Sequence, residues 1–133
     1  MSKSVISTAN TNIASVVTGT TLDLGNIVRR FGCNCKLSGN SVLLDGEGYY
    51  GGSITVTASP TAVGTFTITA LLDGAVIPGA TATASVSTAN NPQTITIPFI
   101  ARVGCCKKAS VLTFVFTGKT SAISNIYAVV EKV

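Results

Sequence analysis

Two pairs of cysteines are the residues of this chain best suited to chemistry. Cys33 and Cys35 lie in the stretch FGCNCKL, and Cys105 and Cys106 lie in VGCCKK. Four thiolates match the ligand count of a structural zinc site. Zinc ligands usually recur as C-x2–4-C, whereas these pairs are C-x-C and C-C, and the chain has no histidine. On an extended strand, C-x-C places both sulfurs on one face and adjacent cysteines on opposite faces. A zinc site is therefore the less favoured interpretation of the four cysteines.

Redox catalysis and disulfide formation are the other uses of these thiols. Catalytic dithiols favour C-x-x-C at a helix N-terminus, and no stretch of the sequence predicts a helix. A bridge within either pair would be strained, so a disulfide is expected to join one pair to the other. The loop so closed, of about 70 residues, could contribute roughly 4 kcal/mol. The alternative is four reduced, partly buried thiols that pack as small apolar groups. Whether they form a disulfide or stay reduced, the cysteines are expected to have a structural role.

The remaining residue types argue against an enzyme. The chain has no histidine and only five carboxylates, so a Ser-His-Asp triad cannot form. No glycine-rich phosphate loop or dinucleotide motif is present. We therefore expect no catalytic activity, no cofactor and no small-molecule ligand.

The composition instead predicts a domain that assembles. Charged residues make up 11% of the 133 residues and hydrophobic residues 46%, against a usual charged share of about 25%. Such a chain covers its surface with small hydroxyls or buries it against other subunits. The net charge of +4 comes without the aromatic-lined basic stripe of nucleic-acid modules. No apolar run is long enough to span a membrane, and the N-terminus lacks a signal-peptide core. We expect neither nucleic acid nor membrane as a partner, and synthesis in the cytoplasm.

A period of two governs most of the chain and predicts β-strands. In SITVTAS, for example, Ile54 and Val56 alternate with Thr55 and Thr57. Turn signals rich in Gly, Pro, Asn and Asp separate about eight to ten strands, as in an antiparallel two-sheet sandwich. The stretch SVLTFVFTG is apolar on both faces and predicts a strand covered on both sides. Residues 1–12 are polar and predict an N-terminal arm that either pairs with a sheet edge or reaches a neighbouring subunit. Its removal is expected to abolish attachment and leave the fold intact, and residues 13–133 are expected to form one domain.

The order of these strands resembles the jelly roll of the tumour-necrosis-factor and C1q type. GEGYYGGSITVTA is similar to that family's Gly-x-Tyr strand, LLDGAVIPGATA to its Asp-Gly hairpin, and QTITIPFIARV to its return strand. The last two strands correspond to ASVLTFVFTG and ISNIYAVVEKV. The resemblance implies a homotrimer. It also implies inner-sheet or oligomer contacts for a set of apolar residues: Tyr50, Ile54, Val56, Phe114 and Phe116.

Chains with VRRFGCNCKLSGNSV, GEGYY and a later cysteine cluster also resemble small proteins of bacteriophages and prophages of gut Firmicutes. This resemblance implies a non-enzymatic virion protein that decorates the capsid or forms a head fibre. Its partners would be other virion proteins, such as the major capsid protein. The alternative is a receptor- or carbohydrate-binding module on a phage tail or cell surface.

Overall fold

The computed structural model describes residues 4–12, 14–104 and 109–133, and these residues form β-strands without a helix. No helix in this part of the chain could cross a membrane. The strands are β1 Val5–Asn10, β2 Ala14–Val16, β3 Thr20–Thr21, β4 Asn26–Phe31, β5 Cys35–Ser38, β6 Ser41–Asp45, β7 Gly48–Pro60, β8 Gly64–Leu72, β9 Ala75–Val86, β10 Gln93–Val103, β11 Ala109–Gly118 and β12 Ser121–Lys132.

The strands build two antiparallel sheets. Sheet I has the order β10-β7-β12-β1-β4, with β2 also paired to β12. Sheet II has the order β5-β6-β11-β8-β9, with β3 also paired to β11. Strands β7 and β12 pair along most of their length, from Pro60 opposite Ser121 to Tyr50 opposite Lys132. This central ladder fixes which side chains face the other sheet.

Alternation along the strands produces one core between the sheets. Along the long strands apolar side chains occupy the inward positions of the alternation, because burying apolar surface removes it from water. Phe66 of β8 stacks on Phe116 of β11, with ring centroids 5.7 Å apart. Phe99 of β10 meets Phe114 at 5.6 Å and thereby joins the two sheets. Such aromatic pairs add stabilisation beyond the area that they bury.

The N-terminal stretch is a strand of sheet I, and this corrects the prediction of an arm over residues 1–12. Strand β1 lies between β12 and β4 and pairs with both. Ile6 and Thr8 are each 1% exposed and point into the core. Small hydroxyl residues can occupy such positions when their backbone groups are bonded on both sides. Deleting residues 1–12 would remove an internal strand, so we expect the deletion to destabilise the fold. Residues 1–3 lie outside the described part of the chain.

Two further expectations differ from the structure. The described residues form twelve strands where eight to ten are predicted, because short segments such as β2 and β3 pair at the sheet margins. Strand β11 was expected to be covered on both sides, but Val111 on its outer face is 37% exposed. The inner residues of β11 are buried as the alternation predicts. The outer face of sheet II is thus open in the single chain.

Neighbouring glycines of β7 give a matched test of the central ladder. A Cβ on Gly52 would collide with the backbone carbonyl of Val129 on β12, whereas a Cβ on Gly51 would meet its nearest atoms at 3.6 Å, an ordinary contact. We expect Gly52→Ala to lower the free energy of unfolding by about 1–3 kcal/mol, because the backbone must shift. Gly51→Ala should change it by less than about 0.5 kcal/mol. Urea unfolding followed by circular dichroism measures both, and equal stability of the two variants would contradict the packing.

Candidate functional site

The two cysteines of FGCNCKL lie in different environments. Cys33 is exposed in a bend, whereas Cys35 is the first residue of β5 and is fully buried. The bend follows Gly32, whose φ of 80° is unfavourable for other residues, and a Cβ there would collide with Ser4. The expectation that both sulfurs share one face assumed an extended strand, and the bend makes it wrong. Only Cys33 is presented to solvent.

The second cysteine pair, Cys105 and Cys106, lies outside the described residues. The predicted disulfide and the alternative zinc site at Cys33, Cys35, Cys105 and Cys106 therefore stay predictions. Within the part of the chain that the structure describes, no three metal-ligating side chains come together. Cys33 and Cys35 are both free thiols there.

A polar cluster beside Cys35 ties together the starts of β1, β5 and β7. The Asn34 side-chain amide donates to the Asp45 carbonyl at 2.6 Å, and the Ser4 hydroxyl donates to Asn34 Oδ1 at 2.8 Å. The buried Tyr50 hydroxyl lies 2.9 Å from the Asp45 carbonyl and 2.8 Å from the Gly46 carbonyl. These bonds satisfy the backbone oxygens of the turn before β7. Their geometry fits a structural clamp, since the members bond to one another.

Burial determines the protonation state of the two titratable groups in and beside this cluster, Tyr50 and Cys35. Burial raises the pKa of the Cys35 thiol from 9.0 to about 11, although Arg30 and Lys132 partly oppose the shift. Burial also raises the pKa of Tyr50, and the Cys35 charge adds to the rise. Both groups are neutral at physiological pH. Since the thiolate is the reactive form of cysteine, Cys35 is a poor nucleophile and a poor metal ligand here.

The five apolar residues implied as oligomer contacts all lie inside the single chain. Each of them is 0% exposed; they are Tyr50, Ile54, Val56, Phe114 and Phe116. The first three belong to β7 in sheet I and the two phenylalanines to β11 in sheet II. Their side chains fill the space between the sheets of the single chain, in keeping with the inner-sheet contacts that the resemblance implies. We expect subunit contacts to use the residues that alternate with them.

Exposed apolar side chains lie on the outer face of sheet I. We use this name for the residues of β10, β7, β12, β1 and β4 that point away from sheet II. In one register row Ile100 lies opposite Gly51, Gly51 opposite Glu131, Glu131 opposite Val5 and Val5 opposite Phe31. Five large apolar side chains of the face are exposed: Ile100 (68%), Phe31 (62%), Tyr49 (54%), Tyr127 (41%) and Val133 (79%).

The middle of the outer face is flat between the exposed apolar groups, because small residues such as Gly51, Ser53 and Ser7 lie there. It includes the charge of Glu131 on the central strand β12. Arg102, Glu131 and Arg29 belong to this face, and Arg102 places its guanidinium 5.9 Å from the centre of the Tyr49 ring. The sequence signal for this face was available, since Tyr127 and Ile100 occupy outward positions of alternating strands. The sequence does not mark them as a surface, because the larger apolar set on the same strands fills the core.

A shallow apolar groove runs beside the outer face, where the edge strands β9 and β10 meet. Its walls include Pro78 and Ala80 from β9 and Pro98 and Ile100 from β10. The groove continues toward Val76, which is 57% exposed. Ile100 therefore belongs to both surfaces. The chain thus offers two different apolar surfaces that meet along β10.

Adjacent tyrosines test the polar cluster. Tyr50→Phe removes the hydroxyl that reaches the Asp45 and Gly46 carbonyls, and we expect a loss of about 1–2 kcal/mol in unfolding free energy. Tyr49→Phe is the control, because Tyr49 is 54% exposed, and should stay within about 0.5 kcal/mol of the wild type. Chemical denaturation measures both variants. A Tyr50→Phe protein as stable as Tyr49→Phe would show that the clamp contributes nothing.

The buried thiol predicts an alkaline loss of stability. Because the pKa of Cys35 is higher in the folded state, its contribution is complete below pH 9.0 and is lost as the pH rises toward about 11. The full loss amounts to about 3 kcal/mol. Unfolding under reducing conditions should show a shallower decline for Cys35→Ala than for the wild type. Cys33→Ala should keep the wild-type decline since Cys33 is exposed, and identical profiles for both variants would contradict the assignment.

Comparisons with solved structures place the chain among jelly rolls. Murine APRIL, crystallised at pH 5.0, superposes with a TM-score of 0.75 at 14% identity, over 99% of this chain and 100% of that one. Eiger TNF from S. frugiperda gives 0.69 at 11% identity, over 98% and 91%. The PRD1 vertex protein P5 gives 0.59 at 14% identity, over 97% of this chain and 72% of that chain.

At these identities the likeness concerns the fold alone. No protein-family model matches the chain, and a search of curated protein sequences found no match. The all-β, antiparallel two-sheet architecture predicted from the sequence is confirmed, and so is its resemblance to the tumour-necrosis-factor type. The chain has a TNF-like jelly-roll fold.

Proposed function

We propose that the chain is a non-enzymatic structural protein of a virus particle, which forms a homotrimer and attaches to the capsid or to a head fibre. It acts by binding and stabilising other subunits. The observation that carries the proposal is the set of exposed apolar side chains on the outer face of sheet I: Ile100, Phe31, Tyr49, Tyr127 and Val133. A monomer rarely exposes a contiguous apolar patch without using it for interaction.

The pairing of two unlike apolar surfaces supports a closed ring. When one surface of a subunit binds a different surface of the next, the contact is heterologous and generates a ring if the rotation closes. The outer face of sheet I and the β9/β10 groove are two such surfaces, and Ile100 lies at their junction. A sheet face is broad enough to receive the edge of a neighbouring sandwich. Three subunits are the number that the family resemblance implies.

The hydroxyl-bearing parts of the outer faces favour an inert particle component. Threonines pair across neighbouring strands, with hydroxyl oxygens 2.8 Å apart for Thr67 and Thr83 of sheet II and 2.8 Å apart for Thr57 and Thr94, at the end of sheet I away from Ile100. Paired hydroxyls satisfy each other and offer neither charge nor a ring face to a ligand. Such surfaces keep a low-charge chain in solution without recruiting other partners. This composition suits attachment through a few defined contacts.

The comparison with the PRD1 vertex protein P5 supports a role in a particle. A vertex protein is part of an assembled shell, and its fold resembles that of this chain. The likeness to APRIL and Eiger TNF does not favour a signalling role over a structural one, because a fold hosts many functions. The virion as the location, the capsid protein as a partner and a phage of gut Firmicutes as the source remain part of the proposal.

Charge placed on Ile100 tests self-association. We expect Ile100→Glu to convert the oligomer to a monomer of 13.5 kDa, because a carboxylate buried in an apolar contact is costly. Thr83→Glu, on the exposed outer side of sheet II, is the control and should leave the oligomer intact. Sedimentation velocity measures the mass, and circular dichroism checks the fold. An Ile100→Glu protein that sediments like the wild type would contradict this contact.

The particle role needs a separate experiment. Particles purified by density gradient from cells that carry the gene are digested and analysed by mass spectrometry. The proposal expects peptides of this chain in the particle fraction at a constant ratio to the capsid protein across the gradient. Recovery of the chain only in the soluble lysate would count against a virion role, whatever its oligomeric state.

A further inference from the structure

Strand β4 is an edge of sheet I whose residues all lie in solvent. It pairs with β1 on one side, and no described strand pairs with its other side. Every residue from Asn26 to Phe31 is exposed. Ile27, Val28 and Phe31 are 44%, 54% and 62% exposed, respectively. An exposed edge with apolar side chains is a template for a further strand.

The other sheet edges carry the features that normally prevent strand addition. Strands β9 and β10 contain Pro78 and Pro98 and pack against each other. Proline removes a backbone N–H donor, and the packing of β9 against β10 covers the remaining backbone donors and acceptors of these two edges. Strand β5 has four residues, among them Lys36, which pairs with Asp45 at 3.7 Å. Strand β4 has six residues and no proline. Among the edges that the structure describes, β4 is the one suited to accept a strand.

The two arginines of β4 define what kind of strand fits. Arg29 lies opposite Ser7 and points to the outer face, whereas Arg30 lies opposite Ile6, on the core side. Arg30 Nε donates to the Cys35 carbonyl at 3.2 Å, which links β4 to sheet II. Within the described residues, the one ion pair is that of Lys36 with Asp45, so neither arginine has a carboxylate partner there. The edge therefore lacks compensating negative charge.

A second copy of β4 is a poor occupant of this edge. Antiparallel pairing of two β4 strands over their full length would place both Arg29-Arg30 pairs in adjacent positions at the centre of the new ladder. Like charges opposite or diagonal to each other destabilise a strand pair. A strand with carboxylates at these positions would instead gain the cross-strand attraction. Charge thus selects an acidic partner rather than another copy of this chain.

We propose that β4 docks an extended, acidic segment of another protein by strand addition. Main-chain hydrogen bonds along β4 hold the segment. On the outer face Arg29 pairs with one of its carboxylates and Phe31 contacts a neighbouring apolar side chain, while Ile27 contacts an apolar side chain on the core side. The inference rests on the proposed attachment role and names the chemistry of the partner. Strand β4 lies at the opposite edge of sheet I from β10, so its backbone edge is separate from Ile100, although Phe31 and Arg29 also belong to the outer face. Val28→Pro at the backbone edge and Ile100→Glu on β10 therefore test attachment and self-association separately.

The probe is a fluorescent peptide of valine and glutamate, as long as β4, with a glutamate at the position opposite Arg29 and valines opposite Phe31 and Ile27. In its counterpart lysine replaces glutamate. Val28→Pro tests the backbone edge, because the register between β1 and β4 shifts at Val28 and leaves this residue without a partner on β1. Val28→Thr is the control, since it keeps the backbone donor. Fluorescence anisotropy on the full chain should show the glutamate peptide bound at least about tenfold more tightly than the lysine peptide. Val28→Pro should weaken that binding about tenfold and Val28→Thr should leave it unchanged.

Arg29→Glu provides a second variant in case Val28→Pro does not fold. It should reverse the preference toward the lysine peptide, whereas Arg29→Gln should only reduce the preference. Equal binding by Val28→Pro and wild type, equal affinity for both peptides, or tighter binding of a short oligothymidylate than of the glutamate peptide would each overturn the proposal. Co-sedimentation with particles separates the two claims. Attachment that survives Val28→Pro overturns β4 docking alone, and peptide binding without attachment overturns the particle role alone.

Discussion

The alternation of side chains along the long strands is the constraint on which the rest of the structure depends. Each residue of β7 that points inward must fit between two sheets, and each that points outward must find water or a partner. Ile54 and Val56 take the first kind of position, and Thr55 and Thr57 the second. Because successive residues face opposite sides, the inward residues of β7 are used to fill the core. Contacts with other molecules must therefore come from the outward set, the residues that point away from the core.

The outward set is unusual because so few of its members are charged. Thr55 and Thr96 pair their hydroxyls at 3.1 Å at one end of sheet I, while Ile100 and Tyr49 lie exposed toward the other end. Such a surface is stable either where its hydroxyl groups bond to water or where another protein covers it. The polar cluster of Ser4, Asn34 and Tyr50 holds the strand ends beside the apolar half. The clamp therefore keeps in place the surface that the proposed assembly uses.

The sequence predicted the long strands and the fold class, because β-branched residues alternate clearly with threonine in β7, β8 and β10. It did not predict β1, because Ser7, Thr8 and Ala9 give little contrast between faces, and only pairing with β12 and β4 makes them a strand. It placed Tyr50 correctly with Ile54 and Val56 on one face. It could not show that this face is used up by the core, since that depends on sheet II. The bend that places Cys33 and Cys35 in different environments begins at Gly32, whose φ is positive. In the sequence, the glycine itself is the one sign of that bend.

The three tyrosines of the chain make the covered face directly measurable. Tyr50 is buried in the single chain, whereas Tyr49 and Tyr127 are 54% and 41% exposed on the outer face of sheet I. Hydroxyl-radical labelling followed by mass spectrometry reports each side chain separately. If the outer face is the subunit contact, Tyr127 of the assembled protein should be labelled as slowly as Tyr50, and should become reactive once the subunits separate on dilution. Labelling of Tyr127 at the same high rate at all concentrations would contradict the account, because the face would then be open to water in every state.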